Sequence, residues 1–353
     1  MSNVTLLEKN KCVGCRSCVN SCLNESIEMK ENDEGFLYPS INDSCTNCGV
    51  CVLRCPILTP SKIDEVEKEV YSLITKDTEL LKKSSSGGVF ATFAKYILLE
   101  NGVVFGCAFD QVLNAKHIMI DSIQELEKLQ GSKYVASSTN NTYQQVKVLL
   151  QTGKKVLYSG SPCHIAGLNS FLGKNYDNLF TIDLICHGTP SQKLFTKYLE
   201  WLGKRNKEKI IYYGFRDKDV AGWSCGGKTK TIDAHCDPYY ASFLRNETFR
   251  ESCYICPYAN IKNRPADITI GDFWGIKKYY PEIDEKQGVS VCIINTKKGN
   301  ELFSVSKEMF HVYNCELSEV IEKNHNLIKP SIRPQKRDFI YKGINSESLE
   351  HFF

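Results

Sequence analysis

Eight cysteines between residues 12 and 55 fall into two copies of one spacing. The first copy is Cys12, Cys15, Cys18 and Cys22; the second is Cys45, Cys48, Cys51 and Cys55, followed by Pro56. Each copy reads C-x2-C-x2-C-x3-C, the spacing of bacterial ferredoxins that carry two cubane 4Fe-4S clusters. Three thiolates set two residues apart wrap one face of a cube, and the fourth, opening the next helix, reaches across to the other cluster. The expected ligand sets are therefore Cys12, Cys15, Cys18 and Cys55 for cluster one, and Cys45, Cys48, Cys51 and Cys22 for cluster two. A four-coordinate zinc site has no use for the extra cysteine inside each loop. Disulfides between cysteines this close in sequence have poor geometry. Leu23 stands where the second copy has Pro56, a helix-start detail that leaves every ligand in place.

The rest of the chain is ordinary by comparison. Its 17 Cys in 353 residues fall well short of the ~8–10% of a disulfide scaffold, so redox and metal use is the better account. Residues 1–11 carry Glu8, Lys9 and Lys11 without an apolar core, which is not the pattern of a signal peptide. No run approaches the ~20 apolar residues of a membrane span; the longest, Val89 to Leu99, is broken by Lys95. A cytoplasmic location is the expectation. A net charge of +3 with 24% charged residues gives no reason to expect nucleic acid.

Residues 1–60 form the ferredoxin-type unit, with Gly35 to Pro39 as a short strand between its halves. Residues 61–69 are a charged linker, 70–335 a second body, and 336–353 a carboxyl-terminal tail that reads as irregular. In the second body, helices are expected at Val89–Glu100, Thr139–Gln151, after Pro162, at Ser191–Leu202 and at Asn300–Phe310. Strands are expected at Val103–Phe109, Lys155–Ser159, Leu179–Ile185, Ile210–Phe215, Asp267–Ile270 and Val289–Ile294. Strands alternating with helices imply an α/β domain with a mainly parallel or mixed sheet, preceded by the small α+β dicluster unit.

Cys163 and Cys186 each follow a predicted strand in consecutive strand–helix units, so both belong at the carboxyl edge of the sheet, where ligands bind. Cys253 and Cys256 form a C-x2-C before Pro257. Two plus two makes a third set of four thiols. Spacing alone also allows two buried packing cysteines and a thioredoxin-like pair.

Residues from about 80 to about 335 resemble the beta subunit family of coenzyme F(420) hydrogenases and dehydrogenases. The matching stretches are Ser86-Gly87-Gly88-Val89, Gly131-Ser132-Lys133-Tyr134, Ser161-Pro162-Cys163 and Ile185-Cys186. The longest runs from Cys253 through Arg264 and Asp267 to Gly271-Asp272-Phe273-Trp274-Gly275. The resemblance implies a 4Fe-4S cluster on Cys163, Cys186, Cys253 and Cys256 beside an FAD, and FAD contacts from Ser86, Gly87, Gly88, Ser132, Lys133 and Tyr134. The chain differs from the hydrogenase beta subunit in carrying its own dicluster unit.

Taken by itself, Ser84 to Gly88 before a helix is either an anion site or a plain helix cap. No G-x-G-x-x-G follows a predicted strand, so a Rossmann nicotinamide site is not supported. His164 and His187, each next to a proposed ligand, are read as candidate catalytic acids or cluster-tuning residues, or as packed histidines. Lys133 is read as a third catalytic candidate, balancing pyrophosphate charge or sitting near the reducible edge of the flavin, or as a surface lysine. Arg216, Asp217 and Lys218 form either an anion clamp or a solvated turn. Cys107, Cys225, Cys236, Cys292 and Cys315 are read as packing residues, with a pocket role open for Cys225 and Cys236 near Trp223.

The expected function is an iron–sulfur flavoprotein oxidoreductase that relays electrons between a ferredoxin-like protein and a small organic or deazaflavin substrate. One alternative is the electron-transfer beta subunit of a larger hydrogenase or dehydrogenase complex using reduced coenzyme F(420). Another is a non-catalytic redox or metal-binding sensor.

Overall fold

The computed structural model describes residues 3–61, 67–218, 224–227, 230–233 and 237–344. Most of the expected linker, along with Trp223 and Cys236, lies outside the described residues. In the ferredoxin-type unit, helices α1 (Ser17–Asn20) and α2 (Val50–Leu53) flank a hairpin of β1 (Ile27–Glu31) and β2 (Leu37–Ile41). The hairpin is antiparallel, with Ile27 opposite Ile41. The strand expected at Gly35–Pro39 is thus the second arm of a hairpin. Val4, Ile27 and the thiols of Cys18 and Cys51 close a small core of its own.

The larger body is built on eight strands. In chain order come β3 (Glu69–Thr75), α3 (Thr78–Lys83), α4 (Val89–Leu99), β4 (Val103–Phe109), β5 (Ala115–Ile120), α5 (Thr142–Gln151), β6 (Val156–Gly160), α6 (Pro162–Leu172), β7 (Leu179–Leu184) and α7 (Gln192–Asn206). Then follow β8 (Tyr213–Asp217), β9 (Ser224–Gly227), β10 (Lys230–Asp233), α8 (Pro238–Leu244), β11 (Ile268–Asp272), β12 (Ser290–Ile294), α9 (Lys297–Ser306), β13 (Phe310–Asn314), α10 (Leu317–Ile321) and α11 (Lys336–Gly343). The main sheet has the order β13-β3-β12-β11-β7-β6-β4-β5, and β8 to β10 form a separate three-stranded sheet.

Only the centre, β11-β7-β6-β4, is parallel; β12, β3, β13 and β5 run antiparallel at the two sides. The sheet is mixed, and the added strands β3, β5 and β13 were not among the expected ones. Polar residues interrupt them, as Lys116 and His117 do in β5 and Glu69 and Ser72 in β3, so they lack the continuous apolar run of a central parallel strand.

The strand period of two divides the core. Val104, Leu157 and Ile182 face α4 and α9 in one apolar layer. Val103, Phe105, Val156 and Tyr158 face α5 and α6 in the other. A third, aromatic core joins α7, α8, β8 and α11 around Phe195, Tyr198, Tyr213, Tyr239 and Tyr240. Helix starts follow their caps: Ser191 accepts from the Leu194 amide at α7, and Thr296 from the Gly299 amide at α9.

The first part of the segment read as an irregular tail forms α11, and Arg337 on it is fully buried. Its guanidinium donates to both carboxylate oxygens of Glu34, at 2.9 and 2.7 Å, and to the Phe249 carbonyl at 2.7 Å, and pairs with Glu251 at 2.8 Å. This one side chain ties the ferredoxin hairpin to the loop leading into Cys253. Arg250 adds a second tie, donating to the Cys12 and Leu37 carbonyls at 2.6 and 2.9 Å.

Candidate metal centres and an adjoining cavity

Among the described residues, no disulfide joins the cysteines of the three sets. Cys12, Cys15, Cys18 and Cys55 are buried and within electrostatic reach of one another, so the crossing of the fourth cysteine is present in the fold. Burial, and then mutual repulsion, pushes the Cys18 thiol up to about 12. Cys45 and Cys48 are the neighbours that raise Cys51, after burial. Cys22 packs in the same small core as Cys18 and Cys51. This second set lies toward solvent: Cys48 is exposed, and Cys22 and Cys45 are half-buried.

The third set assembles as the strand order requires. Cys163 follows β6 at the first turn of α6, Cys186 lies just past the neighbouring parallel strand β7, and Cys253 and Cys256 lie on the loop after α8. Each of these thiols is raised by burial, and Cys163, Cys253 and Cys256 reach about 11. Cys186 is raised well above its usual range by burial and then by Cys253, Cys163 and Cys256. Among the described residues, no three His, Cys, Asp or Glu side chains are gathered tightly enough for a single metal ion; the thiol groups are open ones. Four soft donors whose anionic forms are disfavoured by burial and by each other suit a cationic iron–sulfide core, which relieves both penalties.

The first and third sets are neighbours. A β-carbon at Gly167 in α6 would stand 2.8 Å from the Cys15 β-carbon and 3.0 Å from its sulfur. Only glycine allows helix and thiol loop to approach this closely. Buried Tyr258 feels Cys15, Cys163, Cys256 and Cys55 together, and Tyr143, between Cys15 and Cys163, donates to the His164 carbonyl at 2.8 Å.

The loops carrying the third set are held by ion pairs that sequence reasoning missed. Asp183, fully buried in β7, accepts from Arg264, and Arg264 also donates to the Leu184 and Tyr258 carbonyls. It thereby fastens the segment before Cys186 to the one after Cys256. Burial raises the Asp183 carboxyl, while Arg264 and the Thr269 hydroxyl pull it back. Asp267 is structural: it accepts from the Thr181 amide and hydroxyl at 2.9 and 2.7 Å and from the Thr296 hydroxyl at 2.7 Å.

Beside the third set opens a cavity of about 730 Å³, within the range of a ligand site. Cys163, Cys186, His164 and His187 line it, as do Ser86, Gly88, Ser132, Lys133 and Tyr134. Most of the proposed cofactor residues are thus brought together, but their polar groups are not all available. The Gly87 amide donates to Ser290 Oγ at 2.9 Å, and a β-carbon there would meet the Leu73 carbonyl at 2.3 Å. Gly87 therefore serves close packing on β3 and β12. The Ser132 amide donates to Ser85 Oγ at 2.7 Å. Lys133 turns its Nζ to the Gln130 and Gly131 carbonyls at 2.8 and 3.0 Å, and burial lowers it. Tyr134 packs on Tyr240 and Phe243, with centroids 5.4 and 4.3 Å away, giving the cavity an aromatic wall.

His164 lines the cavity with Nδ1 buried and without a hydrogen-bond partner, set edge-on to His117 at 5.0 Å. His187 lies parallel to Phe243 at 6.4 Å. Burial lowers both imidazoles to about 4. Arg216 and Lys218 do not form a solvated turn. Arg216 makes a two-pronged pair with Asp272, both at 2.8 Å, and donates to the Ser85 carbonyl at 3.1 Å. Lys218 donates to the Leu81 and Ser86 carbonyls at 2.7 and 2.8 Å, fastening the serine loop from behind. Of the remaining cysteines, Cys107 lines the cavity and Cys292 is buried in β12.

Two family models match. Residues 11–57 match the 4Fe-4S dicluster domain. Residues 153–318 match the model for the C terminus of the coenzyme F(420) hydrogenase/dehydrogenase beta subunit. The chain thus joins a segment that matches a dicluster ferredoxin model to one that matches the C terminus of the beta-subunit family. The third thiol set lies inside the beta-subunit match, whereas Ser86 to Gly88 and Ser132 to Tyr134 precede it. An uncharacterized ferredoxin of Methanocaldococcus jannaschii is 28% identical over 67 residues, covering 17% of this chain and 87% of its own length. A chain from the xenon-derivatised F(420)-reducing [NiFe] hydrogenase complex of Methanosarcina barkeri is 19% identical, with a TM-score of 0.49, covering 75% of this chain and 93% of that one. This is therefore an iron–sulfur electron-transfer protein related to the beta subunits. Among the described residues, no helix is long and apolar enough to cross a membrane.

Proposed function

We propose that this beta-subunit relative is an electron-transfer unit that exchanges electrons between a two-electron carrier in the cavity and a protein partner at the exposed thiol set. The observation that carries this reading is the order of the groups. The exposed set around Cys48, the buried set around Cys15, the third set around Cys163 and the cavity wall follow one another, with Gly167, Tyr143 and Tyr258 filling the junction. Cys12, Cys15, Cys18 and Cys55 would hold one 4Fe-4S cluster, Cys45, Cys48, Cys51 and Cys22 a second, and Cys163, Cys186, Cys253 and Cys256 a third. Bound clusters supply one-electron transfer, and a bound FAD supplies the conversion between single and paired electrons.

The matched family's description names coenzyme F(420), which favours a deazaflavin as the carrier and a larger hydrogenase or dehydrogenase assembly as the setting. The FAD rests on the cavity alone: its volume, the Tyr134–Tyr240–Phe243 wall and the turn from Ser84 to Gly88 at the start of α4. The protein's part is to keep that carrier against Cys163 and Cys186 and away from bulk water. A self-contained reductase of a small organic substrate is the second reading. It is favoured by the ferredoxin unit itself, which walls the cavity with Val13, Gly14 and Phe36.

Anaerobic mixing of the oxidised protein with reduced coenzyme F(420) tests the first reading. Bleaching of the iron–sulfur absorbance is expected. A chain that is bleached by dithionite and left unchanged by reduced deazaflavin would reject the deazaflavin in favour of the second reading.

A further inference from the structure

The two cysteine repeats differ in the residue that opens their helices. The residue opening each helix after the C-x2-C loop lies in the left-handed region: Gly49 with φ +81° in the second copy and Arg16 with φ +65° in the first. Glycine takes that conformation freely, whereas a residue with a β-carbon is strained there by about 1 kcal/mol. An arginine held in such a place is a reason to ask what its side chain does.

Arg16 lines the cavity. Its Nε is buried with no hydrogen-bond partner, and among the described residues no carboxylate pairs with it. The other cations of the wall are engaged: Arg216 with Asp272, Lys133 and Arg250 with carbonyls, and Lys116 with Asp110 at 3.5 Å. The acids of the wall are Glu31 and the committed Asp272. The Arg16 backbone is fixed, since Asn20 Nδ2 donates to the Arg16 and Asn140 carbonyls at 3.0 and 2.9 Å, and the Thr139 hydroxyl to the Cys15 carbonyl at 3.2 Å. A guanidinium fixed at its root and unpaired at its head is a fork for two oxygens of one anion.

We propose that Arg16 binds an anionic group, phosphate or carboxylate, on the molecule held in the cavity, so that the ferredoxin unit forms part of the ligand site as well as holding clusters. The proposal rests on the reading that the cavity takes a flavin-like ring. The test is fluorescence titration of the anaerobically purified full chain with riboflavin, FMN and carboxymethylflavin, which share the ring and differ in the anion. Wild type should bind one or both anionic flavins roughly tenfold or more tighter than riboflavin, the preferred anion naming the group.

Arg16→Gly, which restores the residue type of the second repeat, should keep its iron and its riboflavin affinity and lose that preference. Arg16→Lys should keep part of it. If Arg16→Gly loses iron, Arg16→Asn, which also tolerates the left-handed backbone, serves the same comparison. Equal affinities in wild type, or a preference that survives loss of Arg16, would overturn the proposal while leaving the cavity reading intact. Failure of all three flavins to bind would overturn both.

Discussion

Gly167→Ala probes the junction between the cysteine loop of the first set and the helix that opens with Cys163. The added carbon would sit 2.8 Å from the Cys15 β-carbon, 3.0 Å from its sulfur and 3.0 Å from the Tyr143 hydroxyl. Ordinary carbon contacts lie near 3.5–4.0 Å, so loop and helix must part by about 1 Å. Overpacking of this kind costs about 1–3 kcal/mol. Against it stands the helix preference of alanine over glycine, about 1 kcal/mol. The balance is a loss of about 1 kcal/mol, borne where two thiol groups meet. Because cluster loss makes unfolding irreversible, the suitable readout is the rate of absorbance bleaching in guanidinium, with the EPR spectrum of the reduced protein beside it. Bleaching should be about fivefold faster, and any magnetic coupling between clusters should weaken. A variant that bleaches more slowly than wild type, with an unchanged EPR spectrum, would show that the helix preference acts alone and that α6 does not bear on Cys15.

Arg337→Met should cost about 3 kcal/mol, because it leaves Glu34 and Glu251 without their shared cation; hydrogen exchange at residues 32–38 should rise, and unchanged protection there would count against the strap. Glu251 and Asp338 are held below the usual carboxylate range, chiefly by Arg333. Depressed carboxyls stabilise the fold above their unfolded values, near 4, and that contribution is lost as pH falls through the lower folded values. The difference in bleaching rate between wild type and Glu251→Gln should therefore be present at pH 6 and shrink below about pH 4; a constant difference would refute the assignment. Cys163→Ala should lose about four irons while the signals of the dicluster unit persist.

What was legible in the sequence was whatever is local. The doubled cysteine run groups its thiols within short loops, and the approach of Cys55 to Cys12, Cys15 and Cys18 is what the spacing leads one to expect. Cys163 and Cys186 were legible through topology, because consecutive parallel strands bring their carboxyl ends side by side. The outer antiparallel strands β3, β5 and β13 were not, since β3 and β13 pair with partners distant in the chain and polar residues interrupt all three. The functions of Arg216 and Arg264 were equally hidden. Their partners, Asp272 and Asp183, stand 56 and 81 residues away, and a charged triplet after a strand reads as solvated until its partner is known. Gly87 misled because a glycine needed for close packing and a glycine needed for a ligand look alike in sequence. Arg16 drew no notice in the sequence, because its meaning depends on a left-handed backbone that only the fold displays.

On this reading three thiol sets, each suited to a cubane, lead from the surface to the cavity. Anaerobic purification followed by iron and acid-labile sulfide analysis tests it most directly. About twelve irons and twelve sulfides per chain are expected. About eight would leave the cysteines at 163, 186, 253 and 256 without a cluster and contradict it.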